Sequence, residues 1–366
     1  MSSPNRLYLD IHVLQTVPVS CINRDDTGSP KTAVYGGVTR SRVSSQSWKR
    51  AIRIMFRELL PQEKLGVRTK KIVDMVASEI ERRTTVDDSQ AMAIKILEAA
   101  GLTIKSAEKG TDALFFLSRS QAGALAQLAV DEPELLHGTI SKAIKEKAMR
   151  ALKEFPAIDV ALFGRMVADE PSLNTDASAQ VAHSISTHKV SNEYDYFTAV
   201  DDLQEEDQLG AGHIGTTEFN SSTMYRYATL AVHQLYKQLN EDTVQAAVQF
   251  VRAFVCSMPT GKQNTFANRT LPDAVYVALR TDQPINLVGA FERPVPASDE
   301  GYVLPSAKRL VDHARNVYGQ YQCEPALSYV TSDLLSELGQ YMPLPNLLDT
   351  LAVILPEYLI TGRNAV

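Results

Sequence analysis

The sequence has few of the residues that build disulfide frameworks, metal clusters and membrane spans. It contains three cysteines in 366 residues, and Cys21, Cys256 and Cys323 lie far apart with no CxxC pair. This spacing favours three reduced thiols over a disulfide framework or a cysteine zinc site. No window approaches the roughly 18 uninterrupted apolar residues of a membrane span. The N-terminal apolar run also contains Asp10 and His12, which does not fit a secretory signal. We therefore expect a cytoplasmic protein with no membrane partner.

Motifs for nucleotide and metal binding are equally scarce. There is no GxxxxGK[ST] loop, and the GxGxxG match at 210–215 follows an acidic run and precedes a Thr/Ser-rich stretch. A dinucleotide fingerprint needs an apolar strand before it and a helix after it. His183, His188 and His213 lack cysteines or carboxylates at ligand spacing. We expect neither a cofactor nor a bound metal.

Positive charge is in deficit overall but concentrated locally. The net charge of −6 argues against attraction of nucleic acid to the whole surface. Between Thr27 and Arg57, however, there is no acid, while 201–207 contains five. The bases of the first segment are Lys31, Arg40, Arg42, Lys49, Arg50, Arg53 and Arg57.

The periodicity of the first 60 residues predicts a strand, a loop and a helix. Apolar residues alternate with polar ones over 7–13, which predicts a strand with one buried face. The Asp, Gly, Ser and Pro content of 23–37 predicts an irregular loop. A serine at 44, 45 or 47 can cap a helix that Pro61 ends. On that helix Lys49, Arg53 and Arg57 share the side opposite the apolar residues.

The rest of the chain predicts an α+β protein with a helical insertion. Residues 64–155 are mostly helical in pattern, and 187–217 is predicted to be irregular. Strands are predicted at 159–163, 218–228 and 274–280, and helices up to about Leu239 and over 243–256. Together these elements predict one sheet layer with helices on one side.

Two basic stretches and three aromatic residues are candidates for nucleic-acid contact. Bases on one face of a helix, beside serine hydroxyls and helix-start N–H groups, can bind successive phosphates. The second stretch, at 142–153, is interrupted by Glu146, so it fits either a solvated face or a nucleic-acid contact. Tyr194, Tyr196 and Phe197 can stack on bases or pack their segment onto the body of the protein.

Asp25 and Asp26, beside Arg24 and Lys31, allow an alternative. Two carboxylates could hold a divalent ion that cleaves a phosphodiester. The same residues also fit an aspartate-rich turn in which the side chains bond their own backbone, which is the interpretation we favour.

Several longer motifs, in order along the chain, resemble one family. These motifs are NRDD at 23–26, YGG at 35–37, RVSSQSWKRA at 42–51, GRM at 164–166, FTAVDDLQ at 197–204 and HIGT at 213–216. They are similar to those of the CasC family, the repeated backbone subunit of the type I-E CRISPR surveillance complex, Cascade. The resemblance is strong over 7–57 and 158–230.

The resemblance implies a right-hand shape. An RRM-like (ferredoxin-like) palm would carry an inserted helical fingers subdomain and a long β-hairpin-like thumb. The implied ranges are 1–57, 158–187 and 218–366 for the palm, 58–157 for the fingers and 188–217 for the thumb.

The resemblance also implies roles for particular residues. The residues implied in binding the RNA backbone are Arg24, Ser44, Gln46, Lys49, Arg50 and Arg53. Those implied in kinking the RNA at the thumb are Met166, Phe197, His213 and Ile214, with further contacts from Lys262 and Gln263. Lys142 and Lys145 are possible DNA-binding residues. We further hypothesise that the acidic 201–207 segment docks on a basic surface of the adjacent subunit.

The implied function is a non-catalytic scaffold. Copies would polymerise in a helical filament along one CRISPR RNA, with other Cascade subunits, and present its bases to target DNA. A metal-dependent ribonuclease acting through Asp25 and Asp26, and a general single-strand binder, remain the alternatives.

Overall fold

The computed structural model describes residues 6–85, 88–132, 140–154, 156–167, 170–199 and 213–361. Strands and helices alternate irregularly along these ranges. The strands are β1 Tyr8–Ser20, β2 Thr32–Tyr35, β3 Val38–Val43, β4 Gly66–Thr69, β5 Ile104–Ser106, β6 Gly110–Thr111, β7 Phe115–Ser118, β8 Ala179–Val181, β9 Ser184–Ser186, β10 Glu193–Ala199, β11 His213–Ala231, β12 Ala274–Arg280, β13 Leu327–Val330 and β14 Gln340–Tyr341. The helices are α1 Ser45–Leu59, α2 Ile72–Glu81, α3 Ser89–Ala99, α4 Arg119–Asp131, α5 Lys142–Lys153, α6 Ile158–Phe163, α7 Val232–Leu239, α8 Thr243–Cys256, α9 Gln263–Phe266, α10 Val303–Tyr321 and α11 Leu344–Thr361. No helix among the described residues is long and apolar enough to cross a membrane.

One mixed sheet organises the fold. Its strand order is β14-β13-β12-β1-β11-β9-β3-β2, and β8 and β10 also pair with β11. The pairs of β12 with β1 and with β13 are antiparallel, whereas β13 and β14 are parallel. The α+β class predicted from the sequence is therefore confirmed.

The chain divides into two units. The first contains residues 1–52, 181–229 and 250–366, and the second contains residues 53–180 and 230–249. The core of the second unit is built by α2, α3, α4 and α5, with buried residues such as Val76, Ile96 and Leu125. The core of the first unit includes the contact of α10 with the face of the sheet that carries Tyr276.

Strand β1 corrects the expectation of a single buried face. Asp10 and His12 are buried as fully as Leu9 and Ile11. This follows from position, because β1 lies between β12 and β11 in the middle of the sheet, where both faces are covered. The polar residues that alternate with apolar ones in β1, Asp10 and His12, therefore belong to a buried polar network and not to a face in contact with solvent.

Two other expectations also change. Residues 159–163 belong to the helix α6 and not to a strand, because a short apolar run does not distinguish the two by periodicity. The predicted irregular segments are partly ordered: β2 lies within 23–37, and β10 lies within 187–217. The β2–β3 turn uses Gly36 and Gly37, both with positive φ. The other strands and helices predicted at 218–228, 232–239, 243–256 and 274–280 are confirmed.

Candidate nucleic-acid interface

The start of α1 is fixed to the loop that follows β1. The Ser44 hydroxyl accepts a hydrogen bond from the Ser47 backbone N–H at 3.3 Å, which caps the helix. The Ser44 N–H in turn donates to Asn23 Oδ1 at 2.8 Å. The first turn of α1 contains no acid. This helix start is therefore a positively polarised surface next to the 21–31 loop.

Three bases and one histidine belong to the segments beside this helix start. Arg24 is exposed, and Lys31 is half-buried. Arg42 Nε donates to the Thr32 carbonyl at 3.1 Å, and its Nη1 lies 3.1 Å from His183 Nδ1. Desolvation and then the charges of Arg42 and Lys31 lower the pKa of His183. Each of these groups is placed where an anion would offset the repulsion among them.

The exposed face of α1 carries the predicted helical contacts. Gln46 and Arg50 are exposed, and Lys49 is half-buried. Burial lowers the pKa of Lys49 because water solvates its ammonium less well. A phosphate beside Lys49 would restore that lost stabilisation of the charge.

Arg53 lies one turn after Lys49 on the same helix and has partners within the chain. Its Nε donates to Asp159 Oδ2 at 3.2 Å, and its guanidinium lies 4.4 Å from the centre of the Phe116 ring. Its side chain is 23% exposed. Asp159 also accepts from the Gly66 N–H at 2.8 Å. The structure thus gives Arg53 a role in packing, and its RNA contact stays a prediction.

Lys262 reaches the neighbourhood of Arg24 from a different part of the chain. A Cβ placed on Gly261 would lie 2.4 Å from the Ile22 carbonyl oxygen, so this loop packs closely on the end of β1. Lys262 follows in the left-handed region with φ 46°, and its Nζ donates to Thr217 Oγ1 at 3.1 Å. Gln263 begins α9 and is half-buried. The loop that carries Lys262 therefore packs on the residues that precede Arg24.

The hairpin of β10 and β11 presents aromatic residues. Phe197 pairs with Gly215, and a Cβ on Gly215 would lie 2.3 Å from the Phe197 ring, so the ring crosses the glycine where no side chain fits. Tyr194 and Tyr196, which are 66% and 63% exposed, alternate with Phe197 along the strand. The backbones of His213 and Ile214 pair with β10. The acidic 201–207 segment lies outside the described residues, as do residues 210–212 of the glycine motif.

Met166 is presented by a buried arginine next to it. The Arg165 guanidinium donates to the carbonyls of Leu173, Phe116 and Leu152 at 2.8–3.2 Å, and burial lowers its pKa to about 10. Met166 is 85% exposed. In the GRM motif, Arg165 is thus a buried residue that holds three backbone segments together, and Met166 is an exposed apolar side chain.

The Asp25 carboxylate is engaged within its own turn. Its Oδ1 accepts from the Thr27 N–H and hydroxyl at 2.9 and 2.7 Å and from the Ser29 N–H at 3.0 Å. These hydrogen bonds, that of the Thr27 hydroxyl foremost, lower the pKa of Asp25. No cluster of three or more potential metal ligands occurs within the part of the chain that the structure describes. The geometry favours the turn over a metal site.

The possible DNA-binding residues lie on α5. Ser141 caps this helix by accepting from the Ile144 N–H at 3.3 Å. Lys142 and Lys145 are exposed, and Lys142 lies 4.0 Å from Glu146. Such a weak, exposed ion pair leaves the lysine charge available.

Sequence reasoning counted Arg40 and Arg42 alike in the basic segment and weighed His183 only as a metal ligand. The Arg40 side chain is fully buried, and its guanidinium donates to four carbonyls, those of Tyr35, Ser186, Phe291 and Glu292. Alternation along β3 puts Arg40 and Arg42 on the same face, so no local sequence signal separates the buried guanidinium of Arg40 from that of Arg42 beside His183.

Comparison with known proteins identifies the family. Residues 9–345 match the family model Cas_CT1975, described as CT1975-like protein. The chain therefore belongs to the CT1975-like family of Cas proteins. No curated protein matches the sequence.

Solved structures are also similar over nearly the whole chain. One, described as "CRISPR RNA-guided surveillance complex, pre-nicking", is 34% identical with a TM-score of 0.82 and covers 95% of this chain and 99% of that chain. A second, described as "CRISPR RNA-guided surveillance complex", is 30% identical with a TM-score of 0.72 and the same coverage.

Proposed function

We propose that the protein is a CRISPR RNA-binding subunit of a Cascade-type surveillance complex. The observation that carries this proposal is the capped start of α1, whose first turn holds no acid and whose Ser44 N–H is bonded to Asn23, the neighbour of the exposed Arg24. Arg42 precedes this cap in the chain and Lys49 follows it in the same helix. Groups of this kind bind phosphates without reading bases, as a subunit that holds any guide must. The similarity to chains of RNA-guided complexes supports it.

The finer parts of the proposal follow from the CasC resemblance. The sheet around β1 would be the RRM-like palm, the helices of 58–157 the fingers, and the β10–β11 hairpin the thumb. Copies would polymerise along the guide in a type I-E complex, and Phe197, Met166, His213 and Ile214 would kink it. Other Cascade subunits would complete the assembly, and target DNA would pair with the exposed bases. Lys142 and Lys145 would contact that DNA.

We propose that this function is non-catalytic. All three hydrogen bonds that Asp25 accepts within its turn end on Oδ1, which gives this oxygen a structural role in the loop. Purified protein incubated with single-stranded RNA and Mg²⁺ or Mn²⁺ is expected to leave the RNA intact. Cleavage that Asp25→Ala abolishes while RNA binding is retained would establish the ribonuclease alternative.

Copurified RNA tests the central claim. Protein purified from cells that express a CRISPR array is expected to carry RNA of one defined length together with several copies of the chain. Random fragments would instead indicate a general single-strand binder.

Replacement of both Lys49 and Arg50 with alanine is expected to weaken RNA binding and flatten its salt dependence. Each lost phosphate contact on a single strand lowers the slope of log K against log salt by about 0.7, so the double variant should lose about 1.4. Fluorescence anisotropy with labelled single-stranded RNA at several salt concentrations measures both quantities. Arg315→Ala, an exposed base on α10, is the control and should leave the slope unchanged. An unchanged slope in the double variant would remove α1 from the site.

A further inference from the structure

His183 is an exposed histidine whose backbone is held on both sides. The Ala182 N–H donates to the Tyr227 carbonyl at 3.0 Å. The Ser184 hydroxyl accepts from the Trp48 indole N–H at 2.8 Å, and Ser184 itself is buried. The chain that carries the His183 imidazole is therefore fixed, while the residue stays open to solvent.

The register of β9 with β3 brings His183 level with the start of α1. Val43 on β3 pairs with Ser184 on β9 in an antiparallel ladder. The next position along this ladder sets His183 opposite Ser44, the residue that caps α1. The imidazole therefore belongs to the end of the sheet where the proposed RNA site begins.

Arg42 joins His183 to the base that precedes β2. Its Nη1 lies 3.1 Å from His183 Nδ1, and its Nε donates to the Thr32 carbonyl at 3.1 Å. The backbone N–H of Arg42 donates to the Lys31 carbonyl at 2.9 Å. Its Nη2 has no hydrogen-bond partner within the described part of the chain. Hydrogen bonds thus connect the segments that carry Lys31, Arg42 and His183.

The contact with Arg42 fixes the tautomer of His183. A guanidinium only donates hydrogen bonds, so Nδ1 must accept and carries no hydrogen. The hydrogen of the neutral ring is then on Nε2, for which the described residues supply no acceptor. His183 therefore presents a neutral N–H donor beside a guanidinium whose Nη2 is also a donor.

The charges that act on His183 are those of two bases. Desolvation and then the charges of Arg42 and Lys31 lower the pKa of His183 from 6.5. The ring is therefore neutral at pH 7, and a proton added to it would be repelled by both neighbours. An anion beside these side chains would offset that repulsion.

We propose that His183 and Arg42 together bind one phosphate of the guide RNA, Arg42 through Nη2 and His183 through its Nε2–H. A phosphodiester oxygen accepts hydrogen bonds and carries the negative charge that this group of bases lacks. The inference rests on the proposed function, and it adds to the α1 site a neutral donor from a different part of the sheet.

Three substitutions of His183 separate direct contact from other roles. His183→Ala removes the donor and is expected to weaken RNA binding about tenfold at pH 7.5, the low end for a hydrogen bond to a charged group. His183→Gln places an amide N–H close to the position of Nε2 and should bind within about twofold of wild type. His183→Asn offers Arg42 an acceptor at the position of Nδ1 but has no donor at that of Nε2, so it should bind like the alanine variant.

The pH dependence of binding gives a second readout. A bound phosphate favours the imidazolium, so the pKa of His183 should rise on binding from its lowered value in the free protein. The complex then binds more protons than the free protein, and affinity should rise as the pH falls from 7.5 to 5.5. The glutamine does not titrate, so the ratio of wild-type to His183→Gln affinity should increase over this range. Other histidines, including His213, contribute equally to both proteins and cancel in the ratio.

Fluorescence anisotropy of a short labelled polyuridine strand with the full chain measures these affinities. His313→Ala, which removes a histidine from α10, is the control and should bind like wild type. If the alanine variant does not fold, the comparison of the glutamine and asparagine variants decides.

Three results would overturn the contact. They are wild-type binding by His183→Ala, rescue by asparagine in place of glutamine, which would mean that His183 only orients Arg42, and a ratio that does not change with pH. Each of them leaves the proposed function intact. Wild-type protein that binds no RNA would overturn the proposed function itself.

Discussion

Replacement of Arg226 with alanine is expected to lower the free energy of unfolding by about 3–5 kcal/mol, the range for large buried side chains and broken buried polar contacts. The Arg226 guanidinium lies 3.8 Å from the centre of the Trp48 ring and 4.7 Å from that of Phe254. It donates to Gln15 Oε1 and to the Phe254 carbonyl. The side chain is 1% exposed, and burial lowers its pKa to about 9.

The expected loss has two physical sources. Alanine leaves a cavity between two aromatic rings, and it leaves two buried acceptors without a donor. Arg226→Lys should recover part of the loss, since an ammonium can reach one acceptor but cannot stack as a planar guanidinium does.

Denaturant unfolding of the variants measures this effect. Arg315→Ala, which removes an exposed ion pair with Glu337, should change the unfolding free energy by no more than about 0.5 kcal/mol. If Arg226→Ala were as mild as this control, the guanidinium would contribute little to the packing of the first unit.

The second large effect concerns pH and the buried pair Asp10 and His12. Burial raises the pKa of Asp10 to about 6 from 3.8, against the opposing effect of hydrogen bonds from Tyr227 and Ile285. Burial lowers the pKa of His12 to about 3 from 6.5. His12 Nδ1 lies 2.8 Å from the Tyr225 hydroxyl, and its Nε2 has no hydrogen-bond partner among the residues that the structure describes.

The two shifts cancel in the proton balance of folding. Between about pH 4 and 6, the folded pair holds its one proton on Asp10, and the unfolded pair holds one proton on His12. Stability depends on pH only where the two states bind different numbers of protons. The wild-type pair should therefore contribute almost no pH dependence in this window.

Single substitutions should expose slopes of opposite sign. In Asp10→Asn only His12 titrates, the unfolded state binds more protons, and stability should fall by about 1.4 kcal/mol for each pH unit below about 6. In His12→Asn only Asp10 titrates. Its contribution is present below about pH 4 and should be lost as pH rises to about 6, in total about 3 kcal/mol.

Unfolding free energies of each variant relative to wild type, measured from pH 4 to 6.5, test this balance. The double variant is the control, and its difference from wild type should not vary with pH. If stability changed with pH in the same direction in both single variants, the proposed balance of protons between Asp10 and His12 would be wrong.

Much of the fold follows from the sequence, and the exceptions have identifiable causes. The strand at 274–280 and the helix of RVSSQSWKRAIR were predictable because their apolar periodicity and serine cap are local features. The strand predicted at 159–163 was wrong because a run of four apolar residues fits both a helix and a strand. The burial of Asp10 and His12 was not predicted, because it depends on β11 and β12, which lie more than 200 residues away in the sequence.

The candidate site divides in the same way. The stretch of bases at 31–57 was visible, but net charge along the sequence does not show which guanidinium turns inward. Arg40 binds four backbone carbonyls, and Arg53 pairs with Asp159, so only a subset of that charge faces solvent. The packing of the Lys262 loop on the residues before Arg24 depends on the close approach of Gly261 to Ile22, which no local sequence pattern predicts.

Strand β1 links the buried pair of Asp10 and His12 to the loop that carries Arg24. Its 13 residues extend for about 40 Å. Asp10 and His12 lie near the start of β1, and the loop that carries Arg24 follows its last residue, Ser20. Substitutions of Asp10 or His12 are therefore expected to change the pH dependence of stability without altering the proposed RNA contacts at the other end of β1.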